Sequence, residues 1–262
     1  MDLELANRSV LVTGASSGIG LAAAQVFVQE GARVAICARG AERLEAARRQ
    51  LDPQGKSGVL AIAADLSQPS AALALAQQVT SNLGPVEVLV NNVGGPPPGN
   101  NNSIDDAGWA RAVELTLMSA VRMARAVLPG MRARRWGRIV NVSSTSVKQP
   151  IDNLLLSNSI RLAVLGWAKT LANEVAADNV LVNTVCPGWT RTPRVQQVLD
   201  ASAPQGAAGG RSVEASVIRE VPLRRMAEPR EIADVIAFLA SARASYLSGV
   251  AVPVDGGMVQ AY

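Results

Sequence analysis

The chain is predicted to be an α/β protein, one doubly wound domain with a seven-stranded parallel sheet and helices on both faces. Three observations predict it. Short runs rich in Val, Ile and Leu alternate with alanine-rich stretches of helical spacing. A glycine-rich turn joins the first such run to the first such stretch. No break in composition divides the 262 residues, so residues 1–262 read as a single domain with one large core.

The apolar runs are Ser9–Thr13, Arg33–Ala38, Val59–Ala63, Val86–Val90, Arg138–Val142, Val180–Val185 and Val250–Val254. Near-continuous hydrophobic runs mark parallel strands covered on both faces. Between them, Gly18–Glu30, Ala41–Leu51, Ser70–Leu83, Asp106–Arg134, Asn153–Ala177 and Pro229–Ala240 carry helical spacing. Two Gly/Pro-rich stretches, Gly94–Asn102 and Thr192–Gly210, read as loops at the carboxyl ends of strands, where open α/β sheets bind their ligands. Residues 193–221 are expected to be a variable substrate loop inserted within the domain.

Composition excludes several chemistries. The chain has no histidine, which removes histidine bases, histidine metal ligands and every Ser-His-Asp arrangement. No metal site is expected. A net charge of +4 is spread among acids except at Arg132, Arg134, Arg135 and Arg138, which read as the solvated end of a helix rather than a nucleic-acid surface. Cys37 and Cys186 fall in apolar runs and read as reduced core thiols. With an acidic N-terminal stretch and no apolar run near membrane-spanning length, a cytoplasmic protein without a membrane anchor is expected.

The glycine turn is Thr13-Gly14-Ala15-Ser16-Ser17-Gly18-Ile19-Gly20. Glycines there let the chain turn sharply and bring backbone amides at a helix N-terminus to a pyrophosphate. The pattern resembles the Thr-Gly-x-x-x-Gly-x-Gly motif of the short-chain dehydrogenase/reductase family, a Rossmann-type fold, with Gly14, Gly18 and Gly20 at its glycines. The resemblance continues through Asp65-Leu66, Asn91-Asn92-Val93-Gly94, the segment Ile139 to Ser144, Pro187-Gly188 and Val254-Asp255-Gly256-Gly257. It is strongest toward 3-oxoacyl-carrier-protein-reductase-like members. It implies a dinucleotide held by Gly14, Ser16, Ser17, Gly18, Ile19 and Gly20, with Asp65, Leu66, Asn92 and Gly94 beside the adenine and the strand below. Pro187, Gly188, Thr190 and Thr192 match the family segment that holds the nicotinamide carboxamide.

The second strand ends in Cys37-Ala38-Arg39, where an NAD-binding protein would carry an acid for the ribose 2′-hydroxyl. Ala38 brings no repulsive carboxylate, and the Arg39 guanidinium can pair with a 2′-phosphate. NADP(H) is therefore the expected cofactor, with NAD(H) as the alternative.

The family's tetrad is a tyrosine proton donor, a lysine four residues later, a serine for the substrate oxygen and an asparagine. Ungapped alignment puts Ser157 at the tyrosine, Arg161 at the lysine, Ser144 at the serine and Thr116 at the asparagine. Only Ser144 is retained. An alkyl hydroxyl is a far weaker acid than a phenol of pKa about 10, and a guanidinium of pKa above about 12 does not relay protons. Lys148 and Asp152 are the nearest other titratable groups, while Tyr246 and Tyr262 lie in the C-terminal segment. Trp189 reads either as packing beneath its loop or as stacking on substrate. Two functions stay open: an NADP(H)-dependent oxidoreductase acting on a carbonyl or alcohol of small-molecule size, or a catalytically inactive homologue that binds a dinucleotide or a partner. A lyase or dehydratase on the same scaffold is a third. The resemblance also implies a homo-oligomer, expected as a tetramer, built on the two long helices.

Overall fold

A computed structural model describes residues 1–202 and 209–260. Its sheet contains β1 (Ser9–Thr13), β2 (Arg33–Ala38), β3 (Leu60–Ala63), β4 (Val88–Asn91), β5 (Gly137–Val142), β6 (Val180–Pro187) and β7 (Ala251–Val254). All pairings are parallel, in the order β3-β2-β1-β4-β5-β6-β7. The seven expected strands are present, two with the expected bounds and five with ends shifted by one or two residues.

Alternating side chains fill two cores. On β1, Val10 and Val12 enter one apolar cluster while Leu11 enters the other, and all three are fully buried. The first cluster lies under α1 (Gly18–Gln29), α2 (Ala41–Leu51) and the late helix at Pro229–Ala240. The second is covered by α3 (Ala71–Leu83) and by two further long helices described below. Strand order reverses between β1 and β4, so the crevice of the fold opens at their carboxyl ends.

Three expectations need correction. The expected helix Asp106–Arg134 is two helices, α4 (Asp106–Ala112) and α5 (Ser119–Arg134), joined by a π-helical turn at Val113–Met118. Such widened turns add one residue to the helical ladder and occur often at functional sites. The apolar spacing barely registers that residue, so the sequence reads as continuous.

The stretch Thr192–Gly210 is not wholly loop. After α6 (Leu155–Val175), helix α7 runs over Pro193–Ser202 and α8 over Gly209–Glu220, with α9 at Pro229–Ala240. Residues 203–208 lie outside the described residues. The signal for α7 is Thr192-Pro193: the Thr192 hydroxyl accepts the Val195 amide at 3.2 Å, and proline starts a helix without losing a needed donor. The stretch Gly94–Asn102 does stay irregular, docking on the start of α6 through Gly99 N to Asn153 O and Leu155 N to Gly99 O.

Arg138 does not belong to a solvated helix end. It is 2% exposed, donates to the carbonyls of Gly137, Asn179 and Ser241, and stacks on Trp136, whose ring also receives Arg8. Its place on β5 carries its stem inside, and burial pushes its guanidinium down to about 10. Arg132, Arg134 and Arg135 are exposed as expected.

Candidate active site

The site begins with a staple across the crevice. Asn92, just beyond β4, sends its side-chain amide to the carbonyls of Thr13 at 3.3 Å and Gly14 at 3.0 Å, while its backbone amide donates to Thr13 Oγ1 at 3.0 Å. This fixes the glycine turn against the next strand. Gly14 has a φ of +60° and Gly18 one of +57°, the left-handed region that favours glycine. A Cβ on Gly20 would fall 2.5 Å from Gly14 O and 2.6 Å from Asn92 Nδ2, so Gly20 is required by packing rather than by ligand contact.

The N-terminus of α1 is left open. Its N-cap residue Ser17 makes no side-chain capping bond, and the first turn carries no acid. Unpaired amides and the positive end of the helix dipole there suit an anion such as a pyrophosphate. Beside it, a Cβ on Gly94 would meet nothing within 4 Å, so the chain leaves space at this wall of the cleft.

That cleft is a cavity of about 210 Å³ between the glycine turn, the ends of β4, β5 and β6, and α6 and α7. It brings together Gly14, Ser17, Gly18, Ile19, Asn92, Gly94, Ser144, Ser157, Arg161, Pro187, Gly188, Thr190 and Thr192. Outside it stand Ser16, Gly20, Arg39, Asp65, Leu66 and Thr116. Thr190 is buried with its hydroxyl on Gly188 O at 3.0 Å. Trp189 packs with Leu199, Val217 and Met226, as the packing alternative expects, and also lines the cavity.

Arg39 and Asp65 follow the carboxyl ends of β2 and β3, beyond the residues that line the cavity. Arg39 is exposed and has no hydrogen-bond partner among the described residues. Burial raises the Asp65 carboxyl, but the hydroxyl and amide of Ser67 and the charge of Arg39 outweigh it, so the group lies below the usual carboxylate range. Arg43, in the first turn of α2, has its Nε 3.6 Å from where a Cβ on Gly40, the residue after Arg39, would sit. Sequence reasoning passed over Arg43 because it reads as an ordinary exposed helix residue.

At the reaction end, Ser144 follows β5 and its Oγ accepts the Ser146 amide at 3.1 Å, leaving its own hydrogen to donate elsewhere. Ser157 and Arg161 lie one turn apart on α6, and each is under 10% exposed. Arg161 Nη1 donates to Val142 O at 3.0 Å and Ser143 O at 3.1 Å, with no carboxylate beside it among the described residues. Burial, helped by the charge of Arg194, pushes the guanidinium down to about 10, so it still carries its proton at neutral pH.

Thr116, on the π-helical turn, lines a separate void of about 10 Å³ together with Asn141, Ser143 and Arg161. Thr116 Oγ1, Asn141 Nδ2 and Ser143 Oγ have no protein partner, and the void is about the size of one water. Lys148 and Asp152 are exposed and line neither cavity. Tyr246 is fully exposed, and Tyr262 lies outside the described residues. Cys37 and Cys186 are buried free thiols as expected. Arg194 also lines the cavity; it falls in the stretch whose composition reads as loop, so nothing in the sequence marks it as a site residue.

Among the described residues no cluster of His, Cys, Asp and Glu could hold a metal ion, and no helix is long and apolar enough to cross a membrane.

Comparison with known proteins follows the same outline. Residues 14–259 match the family model described as enoyl-(acyl carrier protein) reductase. The chain is 34% identical to the 3-oxoacyl-[acyl-carrier-protein] reductase FabG of Vibrio cholerae over 98% of its own length and 99% of that protein. Among solved structures, the L-sorbose reductase of Gluconobacter frateurii complexed with NADPH and L-sorbose superposes with a TM-score of 0.94, 37% identity and full coverage of both chains. An actinorhodin polyketide ketoreductase with NADPH gives 0.91 at 34% identity, covering 97% of this chain and 98% of that one.

Proposed function

Since the chain belongs to the short-chain dehydrogenase/reductase family, of the 3-oxoacyl-acyl-carrier-protein-reductase-like kind, we propose that it is an NADP(H)-dependent oxidoreductase acting on a small carbonyl or alcohol through an altered tetrad. The observation that carries this reading is the convergence of Ser144, Ser157 and Arg161 on one cavity with the glycine turn and the open N-terminus of α1.

NADP(H), when bound, supplies or accepts the hydride. The residues that would hold it are the amides at Ser17 to Gly20, the walls at Asn92 and Gly94, and the Pro187–Thr192 segment, with Arg39 at the 2′-phosphate. NADPH in the related L-sorbose reductase and actinorhodin ketoreductase supports the NADP(H) preference that Ala38 and Arg39 imply.

The protein's own work is orientation and charge. Ser144 donates its hydroxyl hydrogen to the substrate oxygen, because the Ser146 amide already occupies one of its lone pairs. Arg161 keeps a fixed positive charge in the lining of the same cavity, where it stabilises negative charge developing on that oxygen. It does not relay the proton, which reaches the oxygen from water or from the substrate itself. Ser157 leaves the space of the family's phenol and supplies no comparable acid.

A titration with NADPH followed by a carbonyl screen, both read by nicotinamide absorbance and fluorescence, tests the proposal. Saturable binding with carbonyl-dependent loss of NADPH, reduced at least ten-fold in Ser144→Ala, is expected. Tight NADPH binding with no consumption by any carbonyl would instead favour the inactive dinucleotide-binding reading.

A further inference from the structure

Among the described residues that line the cavity there are two guanidinium groups and no carboxylate. Arg161, on α6, and Arg194, in the first turn of α7, both line it. Arg194 reaches across the cleft so that Nη2 donates to Pro96 O, and its Nε lies 3.0 Å from where a Cβ on Gly95 would sit. The guanidinium thus packs closely on the backbone at Gly95, which has no side chain in its way. Several surface arginines of this chain pair with acids, as Arg191 does with Glu214 and Glu228 and Arg225 with Glu231. Among the described residues Arg194 finds only that carbonyl, although a guanidinium carries five donors.

Two partly or wholly desolvated cations sharing one cavity repel each other, and burial holds the Arg194 guanidinium below its ordinary range. An anion between them removes that penalty. The α1 amides of the glycine turn are already available to a pyrophosphate, and Arg194 sits over Gly95 and Pro96, with the apolar Trp189, Val195 and Val198 lining the same cavity.

We propose that the substrate of this site is an oxo acid or the corresponding hydroxy acid, its carboxylate held by the Arg194 fork with the Arg161 charge behind it. This rests on the oxidoreductase reading of the same cavity. A planar fork meets a carboxylate through two parallel charge-assisted bonds, which supplies both affinity and orientation.

The test is a binding measurement that needs no turnover. Straight-chain oxo acids from pyruvate to 5-oxohexanoate, each against its methyl ester, are titrated by calorimetry into the protein with and without NADP⁺, a state in which no hydride is available. At least one acid should bind ~10- to 100-fold more tightly than its ester, and that preference should weaken as salt rises. Arg194→Met should abolish the preference while leaving ester binding and NADP⁺ affinity within about two-fold, and Arg194→Lys should retain part of it. Equal binding of every acid and its ester, or no binding of either, overturns the proposal. Loss of NADP⁺ affinity in Arg194→Met with the acid preference intact would also overturn it, by assigning the guanidinium to a cofactor phosphate. If the parent binds no NADP⁺, the oxidoreductase reading fails, while the acid and ester contrast on the unloaded protein still decides this inference.

Discussion

Replacing Ser157 with tyrosine and Arg161 with lysine in one chain should raise carbonyl reduction by ~10²–10⁴-fold, the usual contribution of a positioned general acid. The two positions share a face of α6 and open on the cavity that Ser144 also lines, so a phenol at 157 would project toward the oxygen that Ser144 holds. The cost to the fold is bounded by what Arg161 does now. It bridges the carbonyls of Val142 and Ser143, and a lysine ammonium keeps at least one of those bonds, so the loss is about 1–3 kcal/mol against a total stability of about 5–15 kcal/mol. Each single change should give less than ~10-fold, because the phenol needs an ammonium that can both lower its pKa and pass protons, while the lysine alone has no phenol to act on. The double variant should therefore exceed the product of the singles. Steady-state kcat and KM with NADPH, together with circular dichroism and NADPH binding for each variant, measure this cycle. A double variant that folds, binds NADPH and reduces no carbonyl faster than the parent would refute the placement of positions 157 and 161 at the reacting atoms.

Arg39→Ala should weaken NADPH binding by ~10-fold and NADH binding by less than about two-fold in fluorescence titrations, the modest factor reflecting an exposed guanidinium; equal losses for both cofactors would remove Arg39 from the 2′-phosphate. Burial raises the Cys37 thiol from 9.0 to about 12 and the Cys186 thiol from 9.0 to about 11, so at pH 8 the Cys37 thiolate fraction falls from about one in ten to about one in ten thousand. Ellman's reagent should find almost no reactive thiol in the native chain and two after unfolding. Because these folded-state values are raised, their contribution to stability is complete below pH 9 and is lost as pH climbs toward 11–12, which should appear as base-induced unfolding in a pH series of denaturant melts. Light scattering at micromolar concentration should report a homo-oligomer, expected as a tetramer, and a monomer would contradict it.

The sheet was legible because each buried parallel strand writes itself as an unbroken apolar run, and the glycine turn because its left-handed backbone and close approach to Asn92 admit few other residues. Ser144, Ser157 and Arg161 were legible through the resemblance to the family's motifs, which align without a gap over the thirteen residues from Ser144 to Ser157, and the structure brings all three to one cavity. What escaped was of two kinds. The π-helical turn that carries Thr116 adds only one residue to a long apolar pattern, and periodicity is too coarse to register it. Arg138 and Arg194 depend on tertiary surroundings: a sequence does not say that one arginine lies under Trp136, or that another folds over Gly95 to reach Pro96 O. The Thr192-Pro193 pair was a local helix-start signal that the proline-rich composition around it masked.

The most direct measurement is deuteride transfer from NADPH labelled at C4 of the nicotinamide, with the alcohol product analysed by mass spectrometry across a carbonyl panel that includes the oxo acids. One deuterium at the carbinol carbon, from one face of the cofactor only and at a rate at least ten-fold lower in Ser144→Ala, is the predicted result. Saturating NADPH binding with no labelled alcohol from any carbonyl would contradict the central claim and leave a cofactor-binding protein without hydride chemistry.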